Sequence, residues 1–319
     1  MNHLKTRIFF VSDLHGSDRC FRKFINGSRF YSADVLILGG DISGKTAIPL
    51  LKMPDGTWKC VYAGKEHIMK NHEEVEVMSK SIRDSGYYPY ITDEKGVEEL
   101  SAKPAMIEAL FKKLAKDSIS NWINLAEERL RGSGIKCYIS PGNDDPFEID
   151  ENLNSSDYVV NPEGKVVNID DHHEMITVGY TNYTPWHTPR ELDEKVLGET
   201  IEKLAQQVKG MSNAIFNFHA PPIDSLIDQA PKLDEDLKPV ITGGNVVMAP
   251  AGSTAVRESI ELHQPLVGLH GHIHEARGVV KIGRTTCFNP GSECASGVLR
   301  GLILDLEEGR IKSYALTRG

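Results

Sequence analysis

The strongest constraint this chain places on its own fold is a set of apolar runs that each stop at a metal-type side chain. Arg7-Ile8-Phe9-Phe10-Val11-Ser12, Asp34-Val35-Leu36-Ile37-Leu38-Gly39 and Ala214-Ile215-Phe216-Asn217-Phe218 have the length and composition of buried strands. They run into Asp13-x-His15, Gly40-Asp41 and His219 respectively. Ile135-Lys136-Cys137-Tyr138-Ile139-Ser140 feeds Gly142-Asn143, and Leu266-Val267-Gly268-Leu269-His270 leads into Gly271-His272-x-His274. A strand that ends this way puts its last polar residue at the carboxyl edge of a sheet, where open α/β sheets hold their ligands. Seven residues, Asp13, His15, Asp41, Asn143, His219, His272 and His274, are therefore candidates for one metal site.

The order and spacing of these five blocks resemble the calcineurin-like metallophosphoesterase superfamily, whose pattern is D-x-H, G-D, G-N-H-D/E, a lone His, then G-H-x-H. The blocks extend from Asp13 to His274, so the resemblance spans most of the 319 residues. It implies an α/β fold, a four-layer α/β/β/α sandwich with metals where the carboxyl ends of both sheets converge. It also implies a hydrolase of phosphoric ester bonds with a dinuclear centre. Asp13, His15 and His274 would hold one ion, Asn143, His219 and His272 the other, and Asp41 would bridge them. One position departs from the pattern: the chain reads Gly142-Asn143-Asp144-Asp145 where the family usually has His after Asn.

The chemistry explains why such a set is needed. Two divalent ions about 3.5–4 Å apart can clamp a phosphoryl group and acidify a bound water. Carboxylate and imidazole donors suit Mn, Fe, Zn, Co or Ni, so the expected cofactors are two divalent ions from that group. A bridging carboxylate offsets the repulsion between two cations, and a neutral Asn oxygen leaves net positive charge for phosphate. In the family the missing His is placed to donate a proton to the leaving oxygen. Asp144 is the candidate for that catalytic role, but an ordinary Asp, with a pKa of ~3.9, is ionised at pH 7. Metal cations would lower that value and an adjacent carboxylate such as Asp145 would raise it. Slower hydrolysis, a preference for good leaving groups, or recruitment of another acid such as His187 would follow, unless the metals carry most of the barrier lowering. A phosphodiesterase is therefore favoured over a phosphomonoesterase. A non-catalytic binding module would be expected to have lost several of the seven residues.

Each residue also has a plainer reading. Asp13 can be a loop residue after a strand, with Ser17-Asp18 capping the next helix, and Gly40-Asp41 is an ordinary strand-to-turn pair. His219 precedes the rigid Ala220-Pro221-Pro222 turn, which fixes its direction. Among the other histidines, His3, His67, His72 and His263 read as solvated, His172-His173 as part of an acidic turn, and His270 as structural. His187, in Thr184-Pro185-Trp186-His187-Thr188-Pro189, is a candidate for a substrate-facing loop.

Composition narrows the classes further. The chain is 40% hydrophobic and 25% charged, ordinary for a soluble globular protein. Its net charge of −9 argues against a broad electrostatic grip on nucleic acid, and so against a nuclease, while leaving a small phosphate ester or nucleotide as the expected partner. Five cysteines without C-x-x-C spacing argue against a disulfide framework. No signal-peptide pattern or long apolar span is seen, so the expected location is cytoplasmic with no membrane partner. The oligomeric state is not legible.

The expected organisation is one domain over 1–319 with an insertion at about 45–135, because 102 positions separate Asp41 from Asn143. That far exceeds the usual ~4–6-residue connection. Within it, Pro54-Asp55-Gly56 predicts a hairpin turn, and residues 72–85 and 97–131 carry helical periodicity. Elsewhere the pattern predicts a helix from Arg19 to Asn26, a hairpin joining 158–160 to 165–167, and helices over 190–209 and 253–263. The segment 221–251 reads as loop-rich, and four short strands at 278–282, 285–288, 299–305 and 311–316 finish the chain.

Overall fold

The computed structural model describes residues 5–319, so the solvated reading of His3 lies outside the described residues. Two six-stranded sheets form the middle of the molecule. The first has the order Arg310–Arg318, Arg300–Glu307, Thr6–Val11, Val35–Gly39, Lys136–Ser140, Val159–Val160. The second has the order Gly278–Ile282, Thr285–Asn289, Val267–Leu269, Ile215–Phe218, Glu174–Val178, Val166–Asn168. The central strands of both sheets are parallel, for example Phe10 beside Ile37 and Phe216 beside Gly268. Strands buried on both faces need near-continuous apolar sequence, and Val35–Gly39 is buried throughout.

Ile8, Phe10, Val35, Ile37 and Tyr138 of the first sheet meet Met175, Ile215, Val267, Leu269 and Phe288 of the second in an inner core. Helices cover the outer faces. Asp18–Phe30 and Pro104–Leu130 pack on the first sheet, and Glu194–Ala205 and Thr254–His263 on the second. The first of these helices starts where Ser17 accepts the Cys20 N–H, with Asp18 in its opening turn. It runs to Phe30, four residues past the expected end, because Cys20, Phe21, Phe24 and Ile25 keep one stripe in the core. Phe21 stacks flat on Trp122 at 4.2 Å between ring centres. The layers are α/β/β/α.

The structure changes or extends three expectations. Besides its helices His72–Asp84, Glu94–Ser101 and Pro104–Leu130, the insertion holds a four-stranded sheet of Lys65–Met69, Trp58–Tyr62, Ala47–Lys52 and Tyr88–Thr92. Helix His72–Asp84 covers it over a small core of Leu50, Trp58, Cys60, Met69, Val75 and Ile82. The Pro54-Asp55-Gly56 turn does join two antiparallel strands. Second, Val159–Val160 and Val166–Asn168 are not a hairpin. They pair with Lys136–Ser140 in one sheet and Glu174–Val178 in the other, so residues 161–165 cross between the sheets. Two short apolar pairs around an Asn-Pro turn look the same in sequence whichever partner each strand finds. Third, the loop-rich 221–251 segment contains two short antiparallel pairs, Gln229–Pro231 with Met248–Pro250 and Ile241–Thr242 with Asn245–Val246. No helix among the described residues is long and apolar enough to cross a membrane.

Candidate metal centre

Asp13, Asp41 and Asn143 follow three adjacent strands of the first sheet, and His219, His272 and His274 follow two adjacent strands of the second. The loops are bolted to one another. Asp13 N–H donates to Gly40 O at 3.0 Å, His15 N–H to Asp41 O at 2.9 Å, and Gly271 N–H to His219 O at 3.1 Å. The backbone is held in an unusual conformation here. Asp13, His15, Asp41 and His272 have φ of 59°, 42°, 49° and 66°, in the left-handed region that non-glycine residues rarely occupy. Such strain persists only where the surroundings over-determine it, and it clusters at functional sites. Two glycines make room. A Cβ on Gly40 would strike the His219 ring, and one on Gly142 would strike the Asp41 carboxylate and amide nitrogen.

The donor atoms fall into two groups that share one residue. Asp13, His15, Asp41 and His274 each offer an atom within 4.8 Å of the others, and so do Asp41, His219 and His272. Asp41 presents one oxygen to each side: Oδ2 is 3.8 Å from His15 Nε2 and Oδ1 is 3.3 Å from His219 Nε2. His15 Nε2 and His274 Nε2 point at each other across 2.9 Å. Asp13 Oδ2, Asn143 Oδ1 and His219 Nε2 are buried and have no hydrogen-bond partner. Buried polar atoms are nearly always paired, so unpartnered oxygens and an imidazole nitrogen buried among these donors fit a cation. The donor set is oxygen and imidazole, as a pair of divalent ions requires.

Electrostatics agree with that fit. Burial drives His15 down to about 3 and His272 down to about 4, so both imidazoles are neutral, the form that ligates metal. Burial would push His219 down as well, but the Asp41 and Asp13 carboxylates outweigh it and hold it up to about 10. On the protein's own charges, a proton at His219 supplies the positive charge that these carboxylates attract. A bound cation would displace it.

Asp144 stands at the edge of the cleft with 39% of its side chain exposed, and its Oδ2 is 3.9 Å from His15 Nδ1. Its backbone N–H donates to Asp41 Oδ1 at 3.0 Å. Here the structure changes the expectation of an ordinary, ionised Asp. Burial, with the negative charges of Asp41 and Asp145, pushes the carboxyl up to about 7 on the protein's own charges. Two cations alongside would act in the opposite direction. His187, the other proton-donor candidate, is exposed and does not line the cleft cavity, although Trp186 and Thr188 on either side of it do. His270 is fully buried, with Nδ1 against the Phe218 and Ala220 carbonyls, and serves the strand edge. His173 is buried and paired with Asp170 in the acidic turn, 2.8 Å apart.

Sequence reasoning missed the residues that support the Asn143 turn. Asp145 is fully buried and accepts from the backbone N–H groups of Ile42, Ser43 and Gly142 and from the Ser43 hydroxyl. It ties the loop after Asp41 to the turn that carries Asn143. Arg190, also buried, donates Nε to Asp145 O at 2.8 Å and Nη2 to Pro146 O at 3.1 Å, and its own N–H bonds Asn143 O at 3.1 Å. It pairs with Asp150 at 2.6 Å. The only sequence signal for these roles was the second Asp of Gly142-Asn143-Asp144-Asp145, and nothing marked Arg190.

No family model matches the chain. An uncharacterized protein of Methanocaldococcus jannaschii is 34% identical over 152 residues, 47% of this chain and 61% of that protein. The chain thus spans about three fifths of the length of that curated relative. Among solved structures, TT1561 of Thermus thermophilus is 14% identical, with a TM-score of 0.52 over 98% of both chains. A further crystal structure is 15% identical, with a TM-score of 0.56 over 99% of this chain and 98% of its own. At that identity these likenesses concern the fold. The architecture is the α/β/β/α sandwich implied by the resemblance to calcineurin-like metallophosphoesterases, with all seven residues of the motif set gathered at one cleft.

Proposed function

We propose that this chain is a metal-dependent phosphoesterase of the calcineurin-like type, acting mainly as a phosphodiesterase. The observation that carries the reading is Asp41, whose two carboxylate oxygens face two separate groups of buried donors. Asp13, His15, His274 and Asp41 would hold one divalent ion, and Asp41, Asn143, His219 and His272 the other. When bound, the pair would supply Lewis acidity for a phosphoryl oxygen and acidify the attacking water.

The chain's own residues supply the rest. Three carboxylate or amide groups and four imidazoles fix the charge of the centre, with Asn143 contributing an oxygen and no charge. Asp145 and Arg190 keep the Asn143 turn against Asp41, so the two halves of the site hold their spacing. Lys45 lines the same cavity, makes no ion pair among the described residues, and adds positive charge where an anionic ester must approach. Asp144 stands beside the shared Asp41 with a carboxyl where the resembled pattern has an imidazole. A carboxylate beside cations holds its proton poorly, so esters whose leaving group departs without help are the better substrates. That favours diesters and aryl esters over alkyl monoesters.

The test is a screen of mono- and diesters with Mn²⁺, Co²⁺, Ni²⁺, Zn²⁺ or Fe²⁺ added, paired with elemental analysis. Two ions per chain and turnover of aryl phosphodiesters are expected. A protein that retains no metal and turns over no phosphoester would remove this reading.

A further inference from the structure

The cleft is far larger than a phosphoryl group needs, and its walls differ from its floor. The cavity has a volume of about 1130 Å³, and His15, Asp41, Asn143, Asp144, His272 and His274 form its polar end. Pockets for whole organic molecules run to about 300–1,000 Å³ and are mostly apolar with a few convergent polar groups. One wall here is the loop carrying Tyr183, Pro185 and Trp186. Further lining comes from Ile223 and the 230–251 arm, including Leu233 and Pro250.

The aromatic pair is the informative part. Tyr183 and Trp186 are 65% and 62% exposed, yet their loop is not slack. Thr184 and Thr188 both donate to the Glu191 carboxylate, at 2.5 and 2.7 Å, and Trp186 N–H donates to the Thr184 hydroxyl at 3.2 Å. Prolines stand at 185 and 189. A Trp held by a pinned turn at the rim of a cavity presents a large, rigid surface at little entropic cost, ready for a planar partner. The cavity lining also carries Lys45 and Lys232, neither of which makes an ion pair among the described residues, alongside the carboxylates Glu194 and Glu275. Glu194 is spent on Ser253 and the N–H groups of Thr254 and Ala255.

We propose that the substrate is a phosphoester whose non-leaving group is a bulky aromatic of nucleoside size, stacked on Trp186 while its phosphoryl group lies at the Asp41 end of the cavity. This rests on the phosphoesterase reading above and deepens it. An alkyl chain would gain little from a flat indole face, whereas a base or fused ring presents a matching π surface. The reaction is unchanged: water adds to phosphorus, the P–O bond to the leaving group breaks, and the leaving oxygen takes up the proton.

The experiment compares two diesters with the same leaving group, methyl p-nitrophenyl phosphate and the p-nitrophenyl ester of thymidine 5′-monophosphate, in Mn²⁺-loaded protein. The nucleoside ester is expected to show a KM lower by about tenfold or more, as one base–aromatic stack supplies. Trp186→Ala should collapse that ratio toward one, and Trp186→Phe should restore part of it. Equal KM values in the wild-type protein, or a ratio unchanged in Trp186→Ala, would overturn this inference and leave the phosphoesterase reading standing. Turnover of neither ester would sink both.

Discussion

Asn143 Nδ2 donates to Thr188 Oγ1 at 2.9 Å, and that one contact settles which end of the amide faces the metal cleft. Thr188 spends its only proton on Glu191 Oε1, 2.7 Å away. The hydroxyl–carboxylate and backbone bonds that Glu191 receives outweigh its burial and hold its pKa below the usual range, so it only accepts. Thr188 can then only accept from Asn143, which must offer NH₂ on that side and turn its oxygen to the cleft. That oxygen has no other partner.

Thr188→Val should therefore loosen the amide and weaken one of two metal positions. Outer-shell partners of this kind typically contribute ~10–100-fold in metal affinity. Calorimetric titration of metal-stripped protein with Mn²⁺ should show one weakened site and one unchanged, with Thr188→Ser close to wild type. If both sites or neither weaken, the amide is being oriented by something else.

Asp41→Asn should damage both positions together. The change removes the charge that offsets two cations, so the loss should exceed the ~10–100-fold typical of an outer-shell change. Elemental analysis should find fewer than two ions per chain, and turnover should fall in step, with the melting curve confirming that the sandwich persists. A variant with two bound ions and near-wild-type turnover would undo the assignment of a shared carboxylate.

Asp84 at the end of the insertion helix supports a pH-dependent prediction. It is 4% exposed and faces Arg22, Lys80 at 2.7 Å and Arg19 at 3.7 Å, while its carbonyl accepts from the Ser17 hydroxyl at 2.7 Å. Burial opposes its ionisation, but bonds to Lys80 and Arg22 outweigh this and lower its pKa. A depressed carboxylate stabilises the fold above its unfolded pKa of ~3.9, and that contribution fades as pH falls through the folded value. The three cations are 40–64% exposed, so solvent screens them and the contribution of the site is about 1–2 kcal/mol. Asp84→Asn should be less stable by that amount at pH 7 in urea titrations, and the gap should shrink as the pH falls below the ordinary Asp pKa of ~3.9. A gap independent of pH would show that packing, not charge, is what the substitution removes.

The same contacts bear on the insertion. Gly86 lies so close to the loop after His15 that a Cβ there would strike His15 O, and Gly44 N–H donates to the Tyr88 hydroxyl at 2.6 Å. An isolated 45–135 fragment should not unfold cooperatively, because Trp122, Ala126 and Leu130 have their partners on the first sheet's helix layer. A sharp melting transition of the fragment would mark it as an independent unit, which the small core around Trp58 and Ile82 makes a fair test.

What was legible in the sequence follows a physical divide. Asp13, Asp41 and His219 were readable because a parallel strand buried on both faces must be largely apolar, so its end is marked by the first carboxylate or imidazole. The insertion's sheet was readable only at its Pro54-Asp55-Gly56 hairpin, since Ala47–Lys52 and Tyr88–Thr92 pair across 35 intervening residues and are only partly buried. Arg190 was invisible for a related reason: its partners, Asp145 and Pro146, lie some 45 positions away, and no periodicity reports a lone buried cation. The crossing at 161–165 shows the same limit, because a turn signal fixes where the chain bends and not which sheet receives each arm.

Asp144 is where this chain departs from the pattern it otherwise follows, and restoring the usual residue tests what the departure does. Asp144→His should raise turnover of diesters with alkyl leaving groups more than that of aryl diesters. Proton donation contributes ~10²–10⁴-fold where the leaving group needs it and little where it departs unaided. An imidazolium with an ordinary pKa of ~6.5 gives up a proton near neutrality. The Asp144 carboxyl, pushed to about 7 on the protein's own charges, would be drawn back down by adjacent cations and lose that ability. The site has room for the exchange, since the side chain is 39% exposed and already faces His15. The measurement is the ratio of kcat on methyl-type to p-nitrophenyl-type leaving groups, with metal content checked in both proteins. A rise in that ratio assigns proton donation to this position. An equal change on both substrates, with two ions still bound, would mean that Asp144 acts by holding the Asp41 loop through its backbone N–H and that its carboxyl is not the group that sets leaving-group preference.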